Sequence, residues 1–386
     1  MNVAQTVSMM PEPISDAEVA GRIRRLQDSL RDQGIAAAIC FGAHRDYAPA
    51  DIRYLARWSC TDEELSFVFV PAEGHSVLLT DAEWDLERAR SEATAGEILF
   101  DADPAAALAR LVKEHIEPTG RVGVSGFAVF PAPIYLALRA ACPGVSFIDV
   151  TGLVTALRRV KSAAEVALLR AAARLTDIGM AAGVAEIREG GSEFDVVAAA
   201  EHAIRARGGE LAFSTVMGAG PRTAQATFFA SDRVMEQGDF AVLDCGARVH
   251  GYHGDMCRTV VVGGPDPAQR ELLDAVAASV RAATAAARPG ALVGEVTAAA
   301  EQAVADAGLA EHWWGYYMPH GTGTGQHEPP EPHADRDLPL EPGMVMCIEP
   351  GITVEGVGAV ILEQMIHVGA DGAETLNELP LAIWDP

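Results

Sequence analysis

Between Ser162 and His367 the chain runs twice through one pattern, two amphipathic helical stretches followed by apolar, strand-like segments. The first helical pair is "SAAEVALLRAAARLTDIGMAAGVAEI" and "SEFDVVAAAEHAIRARG", with strand-like residues from Phe213 to Val262. The second is "DPAQRELLDAVAASVRAATAAARPG" and "LVGEVTAAAEQAVADAG", with strands resuming near Trp313. Apolar residues recur at helical spacing in the first two segments of each round and alternate or run on in the rest. A doubled helix–helix–strand unit predicts an internal duplication, with helices packed on a curved antiparallel sheet. The two halves share little sequence identity, so the repeat is one of architecture.

The strands hold acids where apolar residues belong. In "AVLDCGARVHGYHGDMCRTVVV" a two-residue turn at Val249-His250 would set Asp244 directly opposite Asp255, although neither "VH" nor "RVHG" is a preferred turn sequence. In "MCIEPGITVEGVGAVILEQMIHV" a turn centred on Gly356 sets Glu349 opposite Glu363. Like charges facing each other across a sheet destabilise it, so both pairs call for a cation. Between the hairpins lies "MPHGTGTGQHEPPEPH", which offers His320 in a glycine-rich turn and His327 seven residues on. Placed there, His320 reads as a ligand and His327 as a residue behind the ligands or at the substrate. Four carboxylates and an imidazole are mostly hard donors, suited to two divalent Mn, Co, Fe or Zn ions. Such a pair of ions would neutralise the acids and activate a water. Cys257 and Cys347 lie two residues from Asp255 and Glu349, on the same strand face by alternation, and read as small buried hydrophobes.

A chain of 386 residues calls for two domains. The first 150 or so residues alternate strands ("GIAAAICFG", "SFVFVPA", "HSVLLTD", "RVGVSG", "SFIDV") with helices, which predicts an α/β domain with a mixed sheet. A formal charge of −25 repels phosphate backbones and anionic membranes, so nucleic acid is excluded as a partner. No apolar run reaches the roughly 20 residues of a membrane span. Six scattered cysteines without a C-x-x-C pair, and an N-terminus without basic and apolar leader regions, point to a soluble cytoplasmic protein.

These residues resemble the pita-bread metallopeptidases: methionine aminopeptidase, aminopeptidase P, prolidase and their creatinase-like relatives. The resemblance covers about residues 155–380 and rests on Asp, Asp eleven residues on, His in "HGTG", Glu in "IEPG" and a final Glu. A weaker likeness lies in "ADIRYLARW". It implies an α+β fold, with a smaller creatinase/prolidase-like α/β domain over 1–155 and a pita-bread metallohydrolase domain over 156–386. It also implies that Asp244, Asp255, His320, Glu349 and Glu363 hold two metal ions. Asp255 and Glu363 would bridge the pair, and Glu349 would orient the water and shuttle its proton. Relatives are usually homodimers in which one N-terminal domain walls the partner's site. Asp46, Arg53 and Trp58 could reach such a site, though a structural Trp and a surface ion pair are the simpler reading.

The departures bear on specificity. Where prolyl peptidases of this family carry two histidines and an arginine, this chain has Thr227, Tyr316 and Ile361. The leading expectation is a dinuclear hydrolase of Xaa-Pro dipeptidase or aminopeptidase type. It would cleave an amide C–N bond in a dipeptide or short peptide, with His327 steadying the oxyanion. The alternative is the same metal scaffold turned to a non-peptide small molecule, as a C–N hydrolase or lyase. The intact ligand set disfavours both a partner-binding module without chemistry and a metal-free creatinase route.

Overall fold

The computed structural model describes residues 10–42, 50–60, 64–225, 228–315 and 318–383, grouped into two compact units, Glu12–Arg158 and the chain from Arg159 onward. In the first unit six strands form one mixed sheet in the order Glu97–Phe100, Val77–Thr80, Ser66–Pro71, Ala37–Gly42, Arg121–Ser125, Ser146–Asp149. Every residue of Ala37–Gly42 is buried, because helices cover both faces of the sheet. Ile39 and Phe41 enter one apolar cluster, and Ala38 and Cys40 the other. Trp58 is 1% exposed, donates to Ser66 Oγ (2.9 Å) and lies under the Arg88 guanidinium. It is a core residue, as expected. Arg53, expected in a surface ion pair, is instead buried and donates to Ser59 Oγ (2.9 Å). Asp46 lies outside the described residues.

In the second unit the duplication is written into the strand pairing. After helices Ala163–Val184 and Glu193–Arg205, Glu210–Leu211 pairs with Ala247–Val249 and Val216–Ala219 with Phe240–Cys245. After helices Pro267–Ala286 and Val293–Asp306, Trp313–Trp314 pairs with Gly351–Val354 and His320–Gly321 with Val345–Ile348. Each half thus has a long hairpin flanked by two short strands in the same order, and all these pairings are antiparallel. Each helix pair also packs into its own apolar cluster, Met180 and Val196 with Leu243, and Val276 and Val296 with Ile348. The helix Ala163–Val184 starts where its capping chemistry dictates. Ser162 Oγ accepts from Glu165 N–H, and the Glu165 carboxylate accepts from Ser162 N–H and from Tyr252 Oη (3.0 Å).

Both hairpins are interrupted halfway. The first breaks at Gly246 on its rising strand and at Gly254-Asp255 on its return, the second at Glu349-Pro350 and Leu362-Glu363. The second has the expected register: Ile348 pairs with Gln364 and Gly351 with Ile361, so Glu349 and Glu363 face each other in the gap. The first does not. Its turn is His250-Gly251, with φ of 47° and 85°, and Arg248 pairs with His253. Two positive φ values make the tight turn whose twist matches a hairpin, and Gly251 takes the left-handed conformation without strain. The same register pairs Asp244 with Cys257 and leaves Asp255 facing Gly246. Asp244 and Asp255 are diagonal neighbours, not an opposed pair. An offset of two residues keeps both on one face.

Candidate metal centre

The two hairpins meet at these breaks. Glu363 N–H donates to Cys257 O (2.9 Å), and Thr259 Oγ1 bonds both the carbonyl (2.8 Å) and the N–H (2.9 Å) of Ile361. This seam brings acids of one half against those of the other. Asp255 and Glu363 are 2% and 1% exposed. The Asp255 carboxyl lies close enough to those of Asp244 and Glu363 for their charges to act on it. Asp244 and Glu349 are half-buried as residues, yet Asp244 Oδ1 itself is sealed from solvent.

Burial, then the charge of Glu363, pushes the Asp244 carboxyl well above the ordinary carboxylate range. Burial followed by Glu363, Asp244 and Glu349 does the same to Asp255, and burial followed by Glu363 and Asp244 to Glu349. Carboxylates this close cannot all ionise unless a cation lies among them.

His320 completes the group. It sits on the short strand beside Val345–Ile348, directly paired with Cys347, and is 2% exposed. Its Nδ1 lies 3.2 Å from Gly321 O; assigning that nitrogen the proton leaves Nε2 as a lone-pair donor, the arrangement of a metal-binding histidine. Nε2 stands 3.5 Å from Glu363 Oε1, too far for a good hydrogen bond. Asp244 Oδ1, His320 Nε2 and Glu363 Oε1 are all buried without a partner. Such atoms are costly in a native fold unless something binds them, and their chemistry fits a divalent cation. Donor atoms of Asp255, His320, Cys347 and Glu363 all lie within 4.8 Å of one another.

His327 lies over His320, ring centroids 4.1 Å apart. Desolvation of its ring, and secondarily His320, lower its pKa to about 3. The residue as a whole is solvent-exposed, and its imidazole is neutral at pH 7. The loop bearing it folds back through Gly321, whose N–H reaches Pro330 O (2.8 Å) and whose carbonyl accepts Glu328 N–H (2.9 Å). A Cβ on Gly321 would meet the Glu328 and Pro329 carbonyl oxygens at 2.5 Å, so the "HGTG" glycine is required by close approach. Thr227 and Tyr316 lie outside the described residues, while Ile361 is partly buried beside a small apolar cluster of Phe228, Val242 and Cys257.

Two features escaped sequence reasoning. Arg258, fully buried, donates to the carbonyls of Cys257, Glu363, Leu379 and Pro380, holding the Glu363 backbone from the face opposite the acids. Desolvation lowers its pKa to about 10, which still leaves it a cation at pH 7. An arginine inside an apolar strand was the available signal. The second feature is the buried ion pair of Lys161 Nζ and Glu328 Oε1 (2.8 Å), which anchors the His327 loop. Residues 167 apart carry no sequence signal of contact.

A repeated hairpin fold that gathers acids and an imidazole around sealed donor atoms defines a metal-dependent hydrolase. Residues 167–370 match the family model of metallopeptidase family M24, and residues 22–160 that of the creatinase/prolidase N-terminal domain. The chain is 32% identical over 380 residues to the probable dipeptidase PepE of Mycobacterium tuberculosis, covering 95% of this chain and 96% of that one. It is 33% identical over 233 residues to the Xaa-Pro dipeptidase of Pyrococcus horikoshii, covering 60% of this chain and 66% of that protein. The solved Xaa-Pro dipeptidase of Bacillus anthracis superposes with a TM-score of 0.83 at 29% identity, covering 94% of this chain and 98% of that one. The chain belongs to metallopeptidase family M24, with the pita-bread catalytic domain and the smaller N-terminal α/β domain.

Proposed function

We propose that the chain hydrolyses the amide C–N bond of dipeptides at two divalent ions (Mn, Co, Fe or Zn) held by Asp244, Asp255, His320, Glu349 and Glu363. Asp255 and Glu363 would serve both ions. The observation that carries this reading is the set of sealed, unpartnered donor atoms on Asp244, His320 and Glu363, in a chain of this family. When bound, the ions polarise the scissile carbonyl and activate a water near neutral pH. Glu349 takes the proton of the attacking water and passes it to the departing amine. His327, a neutral imidazole, donates its N–H to the oxygen on which charge gathers, and its stacking on His320 fixes the ring. The names of the relatives support a peptide substrate over a non-peptide small molecule.

Ile361 shapes specificity. It lies two residues from Glu363, beside Phe228, Val242 and Cys257, and its side chain offers neither charge nor hydrogen bond. A substrate carboxylate that finds no cation there forgoes about 1.5–3 kcal/mol, roughly ten- to hundredfold in efficiency. Metal-loaded protein should therefore cleave Xaa-Pro dipeptides slowly for an enzyme of this family, and Ile361→Arg should raise their turnover. No hydrolysis of any dipeptide after loading with Mn, Co, Fe or Zn would overturn the reading.

Two further attributes go with it. The six cysteines are buried and unpaired, which supports a reducing, cytoplasmic setting, and among the described residues no helix is long and apolar enough to cross a membrane. Family resemblance supports a homodimer, and light scattering that returns a monomer mass at assay concentration rejects it.

A further inference from the structure

A cysteine stands where the repeat puts a ligand. In the first half Asp244 is the second-last residue of Phe240–Cys245, paired with Val216 on one side and Cys257 on the other. In the second half Cys347 is the second-last residue of Val345–Ile348, paired with His320 and Met365. Asp255 and Glu363 match in the same way, each standing immediately before the returning strand. Cys347 is thus the counterpart of Asp244. Alternation turns it to the face of Glu349, and pairing sets it beside His320.

The distances agree. Cys347 Sγ and one donor atom each from Asp255, His320 and Glu363 lie within 4.8 Å of one another, and all four residues are buried. Neighbouring donors on one tetrahedral ion stand roughly 3.3–3.7 Å apart, given bonds of about 2.0–2.3 Å, so the most widely spaced atoms of the set would draw in by about 1 Å on binding. Cys257 differs: its thiol is directed at Ile361 O (3.8 Å), and it lies outside the group.

We infer that Cys347 is a sulfur donor to the ion held by Asp255, His320 and Glu363, making that position a mixed oxygen, nitrogen and sulfur site selective for zinc or cobalt over manganese. The inference rests on the metal-centre reading proposed above. On binding, the S–H bond gives way to an S–metal bond and the proton leaves to buffer. Thiolate favours the softer borderline ions, whereas manganese favours oxygen donors. Seen from the sequence alone, the cysteine is a small hydrophobe; the paired strands give it a ligand's place.

The test is absorption of the full-length protein loaded with cobalt(II), with uptake measured by elemental analysis. Expected are visible ligand-field bands together with an intense near-ultraviolet sulfur-to-cobalt charge-transfer band. Cys347→Ser should keep the first and lose the second, and Cys257→Ser should keep both. The zinc-over-manganese preference of Cys347→Ser, measured by competition, should fall by about tenfold or more, the scale on which even supporting residues move metal affinity. Stoichiometric cobalt without the near-ultraviolet band in the unmodified protein, or a band that survives in Cys347→Ser, overturns the sulfur assignment and leaves the metal centre standing. Failure to bind cobalt at all overturns both.

Discussion

At the scale of single residues, the centre is a problem in charge that its side chains cannot solve alone. Asp255 and Glu363 touch both hairpins, so Asp255→Ala or Glu363→Ala should remove most metal uptake and all hydrolysis; full occupancy by elemental analysis in both variants would reject the ligand assignment. The raised carboxyls also set a pH dependence for chelated protein. A carboxyl whose folded pKa lies above its unfolded value contributes stability below the unfolded value, near pH 4, and loses it as pH rises through the folded one. The melting temperature of chelator-treated protein should therefore fall as pH is raised above the ordinary carboxylate range, and the metal-loaded protein should show less of this trend. A chelated protein that grows steadily more stable from pH 5 to 8 contradicts it. Of this site, the five ligand candidates and His327 were legible because acids and imidazoles are conspicuous among apolar strand residues. Arg258 was not, because its task of holding four carbonyls is visible only once strands and the C-terminal segment meet.

At the scale of elements, periodicity and caps decided what could be read. The helices beginning after Ser162, Ser192 and Asp266 start at reciprocal capping boxes whose residues are local, so their positions followed from sequence. Glu97–Phe100 was missed because an edge strand with exposed and half-buried residues lacks an apolar signature. The first hairpin's register was misplaced because His250 takes a left-handed conformation that sequence preferences reserve for Asn, Asp or Gly. The loop after His320 depends on a buried ion pair, and removing one partner of such a pair costs about 3–5 kcal/mol because the other charge is stranded. Lys161→Met should accordingly lower stability by that order and impair His327, while Lys161→Met combined with Glu328→Leu should recover much of the loss. Denaturant unfolding that places Lys161→Met within about 1 kcal/mol of the unmodified protein would show the pair is dispensable.

For the whole molecule, two units with separate apolar cores predict separable unfolding, and the proposed ions belong to one of them only. Ligand at a thousandfold excess over its dissociation constant adds about 4 kcal/mol to the state that binds it. Calorimetry should resolve two transitions, with chelator lowering one and sparing the other; equal shifts in both would place metal or coupling elsewhere. Within the catalytic unit the repeated pairing carries a consequence for how the chain can be cut. Each half owns its helices and its hairpin, Phe240 and Val261 of the first hairpin pack into the second half's cluster, and the halves are joined in sequence through the turn at Gly263-Gly264. A break there would leave two modules, each bearing an incomplete set of donors. Fragments separated at that turn are expected to complement each other more readily with metal than without it, the proposed ions adding to the seam between two gene products and hydrolysis reporting that they have found each other.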